Sequence, residues 1–155
     1  MPIAKIVCPT DFSDPSYEAL KTADELALHF SGELLVIHVV NPVPVYPTPV
    51  VPEAASSAGF VASYHQEMQV SAKKSLDHIV QERVSERIKS GTRVYIGDAA
   101  NEIVESATNE HADLIVIATH GLTGWRRFMF GSVAEKVVRL AQCPVLIIRK
   151  PEEDG

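Results

Sequence analysis

Leu114-Ile115-Val116-Ile117-Ala118-Thr119-His120-Gly121, followed nine residues later by Gly131-Ser132-Val133-Ala134-Glu135, decides the fold. Leu114 to Ala118 is the longest uninterrupted aliphatic run in the chain. A continuous apolar run of this length suits a strand covered on both faces, as in a parallel sheet. After the second glycine, Ser132-Val133-Ala134-Glu135 fits the S-x-x-E capping box, and Ala134, Val137/Val138 and Ala141 continue at helical spacing. A buried strand feeding a helix through a glycine-bracketed loop is one unit of an α/β sheet.

The pattern repeats outward. Ile3–Cys8, Leu34–Val40 and Val145–Ile148 are nearly continuous in aliphatic residues, and Arg93–Ile96 is shorter and mixed, as suits an edge. Helical stripes separate them: Ala19/Leu20, Ala23, Leu26/Ala27 and Phe30; then Met68, Ala72, Leu76, Ile79/Val80 and Val84; then Ile103/Val104 and Ala107. Ser13-Asp14-Pro15 supplies a cap and an early proline, Gly32 an end signal, and Asp98 a cap for the third helix. Right-handed crossovers then give one doubly wound domain over residues 1–155, β1-α1-β2-α2-β3-α3-β4-α4-β5. Asn41 to about Ser63 interrupts this rhythm. It holds five of the ten prolines and then Ala54-Ala55-Ser56-Ser57-Ala58-Gly59, which predicts an irregular loop after β2.

Composition excludes several classes. A formal charge of −6 argues against a general nucleic-acid binder, which neutralises phosphates with Lys and Arg. The apolar runs are too short to cross a bilayer, and Met1–Val7 lacks the features of a signal peptide, so no membrane partner is expected. Cys8 and Cys143 form no C-x-x-C pair and read as small buried hydrophobes in a reducing cytoplasm. The six histidines, His29, His38, His65, His78, His111 and His120, show no metal-ligand spacing, so no protein-ligated metal is expected.

In open α/β sheets a ligand lies where the strand order reverses, at the carboxyl ends of the strands. In the common five-stranded order 3-2-1-4-5 that point falls between β1 and β4. Past β1 comes Pro9-Thr10-Asp11-Phe12-Ser13, and past β4 the loop from Gly121 to Gly131-Ser132. Glycines let main-chain N–H groups approach an anion, and a helix N-terminus adds unpartnered N–H groups and a partial positive charge. An acidic protein can thereby hold phosphates without many basic side chains. Ser132 can cap the helix or donate its hydroxyl to a phosphate oxygen. The spacing matches neither a Walker A loop nor a Rossmann G-x-G-x-x-G, and no Ser-His-Asp or Cys-His set is recognisable. Asp11 reads as a hydrogen-bonding or capping carboxylate, and His120, the one histidine expected near the site, as a loop residue. Arg126 and Arg127, beside Trp125, Phe128 and Phe130, are either phosphate contacts or a solvated pair.

Ala118-x-x-Gly121-x9-Gly131-Ser132, the early Pro9-Thr10-Asp11 and the closing Cys143-Pro144-Val145-Leu146-Ile147-Ile148 together resemble the universal stress protein family across essentially the whole chain. The resemblance implies an adenine nucleotide α-hydrolase-like fold and a stress-response regulator that binds ATP or another adenine nucleotide, with at most slow hydrolysis. By position it assigns binding to Pro9, Thr10, Asp11, Val39, Val40, Ala118, Gly121, Gly131, Ser132 and Val133, with Mg²⁺ carried on phosphate oxygens. The nucleotide-binding branch has glycine where this chain has Ala118. A methyl there is harmless if φ is negative and crowds the ligand if φ is positive. The same residue leaves open a non-nucleotide module of the same fold acting through protein partners. Pro144–Lys150 would be a bare apolar edge strand, so a homodimer pairing these edges is expected on physical grounds and by resemblance. The alternative is an edge shielded by the tail Pro151–Gly155.

Overall fold

The computed structural model describes residues 2–44, 55–119 and 131–149, with only the backbone of residues 55–58. The nine elements follow the expected alternation: β1 Lys5–Pro9, α1 Asp14–Phe30, β2 Glu33–Val40, α2 Ala55–Arg83, β3 Ser90–Ile96, α3 Ala99–Asn109, β4 Leu114–Thr119, α4 Ser132–Leu140 and β5 Val145–Arg149. The five strands form one parallel sheet in the order β3-β2-β1-β4-β5.

Strand periodicity sorts side chains between two cores. Ile6, Cys8, Leu34, Val36, Leu114 and Val116 face one side and pack with Ala19, Leu20 and Ala23 of α1 and Leu76 of α2. Val7, Leu35, Ile37, Ile115 and Ile117 face the other and pack with Ala100, Ile103 and Ala107 of α3 and Ala134 and Val137 of α4. The central strands are continuous in Val, Ile and Leu because both faces are covered. No helix among the described residues is long and apolar enough to cross a membrane.

β1 and β4 pair only at Ile6↔Leu114 and Val7↔Ile115, whereas β1 and β2 stay paired from Lys5↔Glu33 to Pro9↔Ile37. The sheet therefore opens past Val7 on the β4 side alone. Pro9, which has no N–H, is the last residue of β1, beyond the β4 pairing, so it removes no ladder bond there.

Several boundaries differ from the sequence reading. β1 starts at Lys5, and Ile3 instead packs against the α1/α2 core from outside the strand. β3 begins at Ser90, because Ser90-Gly91-Thr92 pair with Leu34-Leu35-Val36 despite their weak strand propensity. α2 begins at Ala55 rather than after Ser63: beyond Pro52 nothing in the run forbids a helix, and proline density overstated the loop. The buried stripes are narrower than the helical spacing suggests, since Phe30, Met68 and Val138 are exposed. Cys8 is fully buried, but Cys143 is only partly so. At the end of α1 the left-handed residue is Ser31 (φ 55°), not Gly32. Gly32 is needed for a different reason: a Cβ there would stand 2.8 Å from the Ile3 carbonyl oxygen and 3.0 Å from that of Ala4.

Candidate functional site

The opening between β1 and β4 is a cleft of about 320 Å³, lined by the segment after β1, the end of β2, the end of β4 and the first turns of α3 and α4. Of the residues singled out from the sequence, Pro9, Thr10, Asp11, Val39, Ala118, Gly131, Ser132 and Val133 line it together. Val40 does not. The strand alternation turns its side chain into the core at 4 % exposure, and its carbonyl accepts the Gly97 N–H at 3.1 Å. Gly121 lies outside the described residues, as do His120, Trp125, Arg126, Arg127, Phe128, Phe130 and the tail Pro151–Gly155.

The segment after β1 is held by Thr10. Its N–H donates to the Ile37 carbonyl at 2.9 Å, and its own carbonyl meets His38 Nδ1 at 2.8 Å. Its hydroxyl accepts the Phe12 N–H at 3.1 Å and bonds Ser16 Oγ at 2.8 Å. Phe12 sits at φ 64°, a conformation that costs a non-glycine residue about 1–3 kcal/mol and persists only where its surroundings enforce it. Its ring lies 4.5 Å from that of His38, centroid to centroid. Asp11 accepts the Ser13 N–H at 3.0 Å and the Ser13 hydroxyl at Oδ1. This is a carboxylate fixed as an acceptor at the mouth of a cleft. Ser13 meanwhile caps α1 as expected, accepting from the Ser16 N–H.

The opposite wall is the start of α4. Its N-cap is Gly131, without any side-chain cap, and Ser132 is the first helical residue. The expected capping box therefore does not form, because Ser132 stands one position too far into the helix for its hydroxyl to reach the N–H groups of the first turn. The first intrahelical bond runs from the Glu135 N–H to the Gly131 carbonyl at 3.0 Å. The preceding N–H groups have no partner within the helix, and Ser132, Val133 and Ala134 line the cleft. At Gly131 φ is −58°, and an added Cβ would meet nothing within 4 Å among the described residues. Among the described residues no contact requires a glycine there.

Among the described residues the non-glycines with positive φ are Phe12, Ser31 and His111. Ala118 is not among them: it is a regular β4 residue paired with Ile148, and it packs against the α1/α2 core. Its methyl does not oppose the backbone conformation there.

Sequence reasoning missed Ser13, Ser16, His38, Ala99, Ile103, Ile117, Thr119 and Ala134. His120 is therefore not the one histidine of the site: His38 reaches the cleft from β2. The α3 residues carried a signal in hindsight, because Asp98 caps α3 from just beside the cleft, accepting the Asn101 N–H at 3.0 Å and Lys136 Nζ at 2.9 Å. Lys136, and then the Asn101 amide, hold the Asp98 carboxyl below its usual range. Cys8, behind the cleft, is pushed up to about 12 by burial and is a packed hydrophobe rather than a nucleophile. Among the described residues no group of three His, Cys, Asp or Glu side chains could hold a metal ion.

The sequence profile of the Universal stress protein family matches residues 2–149. The chain is 40% identical over 150 residues to universal stress protein MJ0531 of Methanocaldococcus jannaschii, covering 97% of this chain and 84% of the relative. Its fold is similar to the solved structure of MJ0577 from the same organism, at a TM-score of 0.79 and 26% identity over 99% of this chain and all of that one. It is also similar in fold to a universal stress protein in complex with cAMP (TM-score 0.67, 20% identity, 97% and 100% covered). Another similar fold is the universal stress protein from Archaeoglobus fulgidus in complex with dAMP (TM-score 0.59, 22% identity, 96% and 99% covered).

Proposed function

The chain belongs to the universal stress protein family, and from that premise we propose that it is a stress-response regulator that binds an adenine nucleotide, ATP first among them, in the cleft between β1 and β4. The observation that carries this reading is the pairing across one cleft of a fixed carboxylate, Asp11, with an α4 N-terminus that lacks a side-chain cap. A carboxylate acceptor suits the hydroxyls of a ribose, and uncapped helix amides suit phosphate oxygens. Val39, Ile103 and Ile117 form an apolar wall for the base. A volume of about 320 Å³ sits at the small end of the ~300–1,000 Å³ range of small-molecule sites, which fits a nucleoside with its first phosphate. The open space beside Gly131 among the described residues supports close approach by a ligand, and the cAMP and dAMP complexes of proteins similar in fold support the adenine class.

Mg²⁺ enters this reading on phosphate oxygens, since the described residues offer no three-ligand cluster for it. Hydrolysis is at most slow: Asp11 is engaged by Ser13, and among the described residues none lining the cleft is evidently placed to activate water. We further propose a homodimer through the β5 edge. Leu146 on β5 and Val138 and Leu140 at the end of α4 are exposed apolar side chains on the elements beside that edge, which supports an apolar contact between copies. The free cysteines support a cytoplasmic setting.

Denaturing the purified protein and identifying released small molecules by mass tests the ligand directly. Release of stoichiometric adenine nucleotide is the expected result. A protein that releases none and takes up no added ATP, ADP, AMP or cAMP refutes the nucleotide reading and leaves an interaction module of the same fold.

A further inference from the structure

Thr10 is tied to β2 twice in succession. Its N–H donates to the Ile37 carbonyl, and its carbonyl faces His38 Nδ1 at 2.8 Å. A carbonyl only accepts, so the imidazole must carry a proton on Nδ1. The ring of the same histidine is the surface on which Phe12 rests, at 4.5 Å between centroids, while Phe12 holds a left-handed backbone at φ 64°. Asp11 lies between these two attachment points. Its φ/ψ path is therefore fixed from both sides by one side chain that belongs to a different strand.

We propose that His38 is the positioning residue of the cleft: its Nδ1–H on the Thr10 carbonyl and its ring against Phe12 together set the Thr10–Ser13 segment that presents Asp11. The role of that segment toward a ribose rests on the nucleotide-binding reading; the positioning itself does not. Asparagine places an amide nitrogen close to where histidine places Nδ1, so His38→Asn keeps the donor and loses the ring, and His38→Ala loses both. Phe12→Ala removes the ring contact from the other side.

Three measurements decide the proposal. Nitrogen-15 NMR of the free wild-type protein is expected to show neutral His38 as the Nδ1–H tautomer, a property that packing alone does not select; an Nε2–H tautomer overturns the proposal without any variant having to fold. Amide exchange in the free proteins is expected to accelerate at least tenfold at Phe12 and Ser13 in His38→Ala, and much less in His38→Asn, with Val7 and Val36 unchanged. Equal protection in wild type and His38→Ala overturns it. In titrations with ATP, His38→Ala is expected to bind at least tenfold more weakly than wild type and His38→Asn to recover most of that loss. Absence of ATP binding in wild type refutes the nucleotide reading alone, because the tautomer and exchange results still decide the positioning; tight binding by a His38→Ala protein refutes the positioning alone.

Discussion

Lys136 Nζ lies 2.9 Å from Asp98 Oδ1, which joins α4 to the N-cap of α3 beside the cleft. Lys136 keeps the Asp98 carboxyl below its ordinary value. A carboxyl depressed in the folded state contributes stability that is present above the unfolded value, about 3.9, and is lost as pH falls through the folded one. Asp98→Asn keeps a good capping side chain and removes the charge. Thermal melts are expected to show the variant less stable than wild type at pH 7, with the difference shrinking progressively as pH falls below about 3.9. A difference that does not change with pH would contradict this assignment.

Gly32 and Gly59 are expected to respond to alanine with opposite signs. A Cβ on Gly32 meets two backbone carbonyls at 3.0 Å or less, neither of which can swing aside. Gly32→Ala is expected to cost about 1–3 kcal/mol in urea unfolding. Gly59 lies within α2 with nothing within 4 Å among the described residues, so Gly59→Ala is expected to stabilise by about 0.5–1 kcal/mol.

Gly131→Val separates stability from binding. The added Cβ meets none of the described residues, so the melting temperature should fall only by the modest cost of exchanging glycine for valine at a helix N-cap. ATP affinity measured by calorimetry should fall at least tenfold, because the side chain occupies the approach to the α4 amides. Unchanged affinity would remove the phosphate from this end of the cleft.

Ala118→Gly is expected to change ATP affinity by less than about threefold, given that φ at this residue is not positive and glycine gains its advantage mainly where φ is positive. Fluorescence titration with a labelled adenine nucleotide measures this. A gain of tenfold or more would show that the methyl stands against the ligand.

The alternation of apolar runs with helical stripes made the parallel α/β sheet legible, because burial on both faces leaves a continuous mark on β1, β2 and β4. Residues whose roles depend on close approach were not legible. Gly32 reads as a helix stop, yet its constraint is the Ile3 carbonyl, nearly thirty residues away in sequence. Ser132 reads as a cap because S-x-x-E is a local pattern, but where a helix begins depends on where the preceding loop delivers the chain. Val39 and Val40 differ only in parity, which one strand by itself does not reveal. His38 was hidden for a different reason: its partner, the Thr10 carbonyl, becomes its neighbour only through β1–β2 pairing.

Titration of nucleotide-stripped wild type and Asp11→Ala with ATP by isothermal calorimetry tests the account most directly. The expected result is one site per chain in wild type, weakened at least tenfold in a variant that melts like wild type. Wild type that gives no saturable binding, or an Asp11→Ala protein that binds equally well, would contradict a nucleotide held between Asp11 and the start of α4.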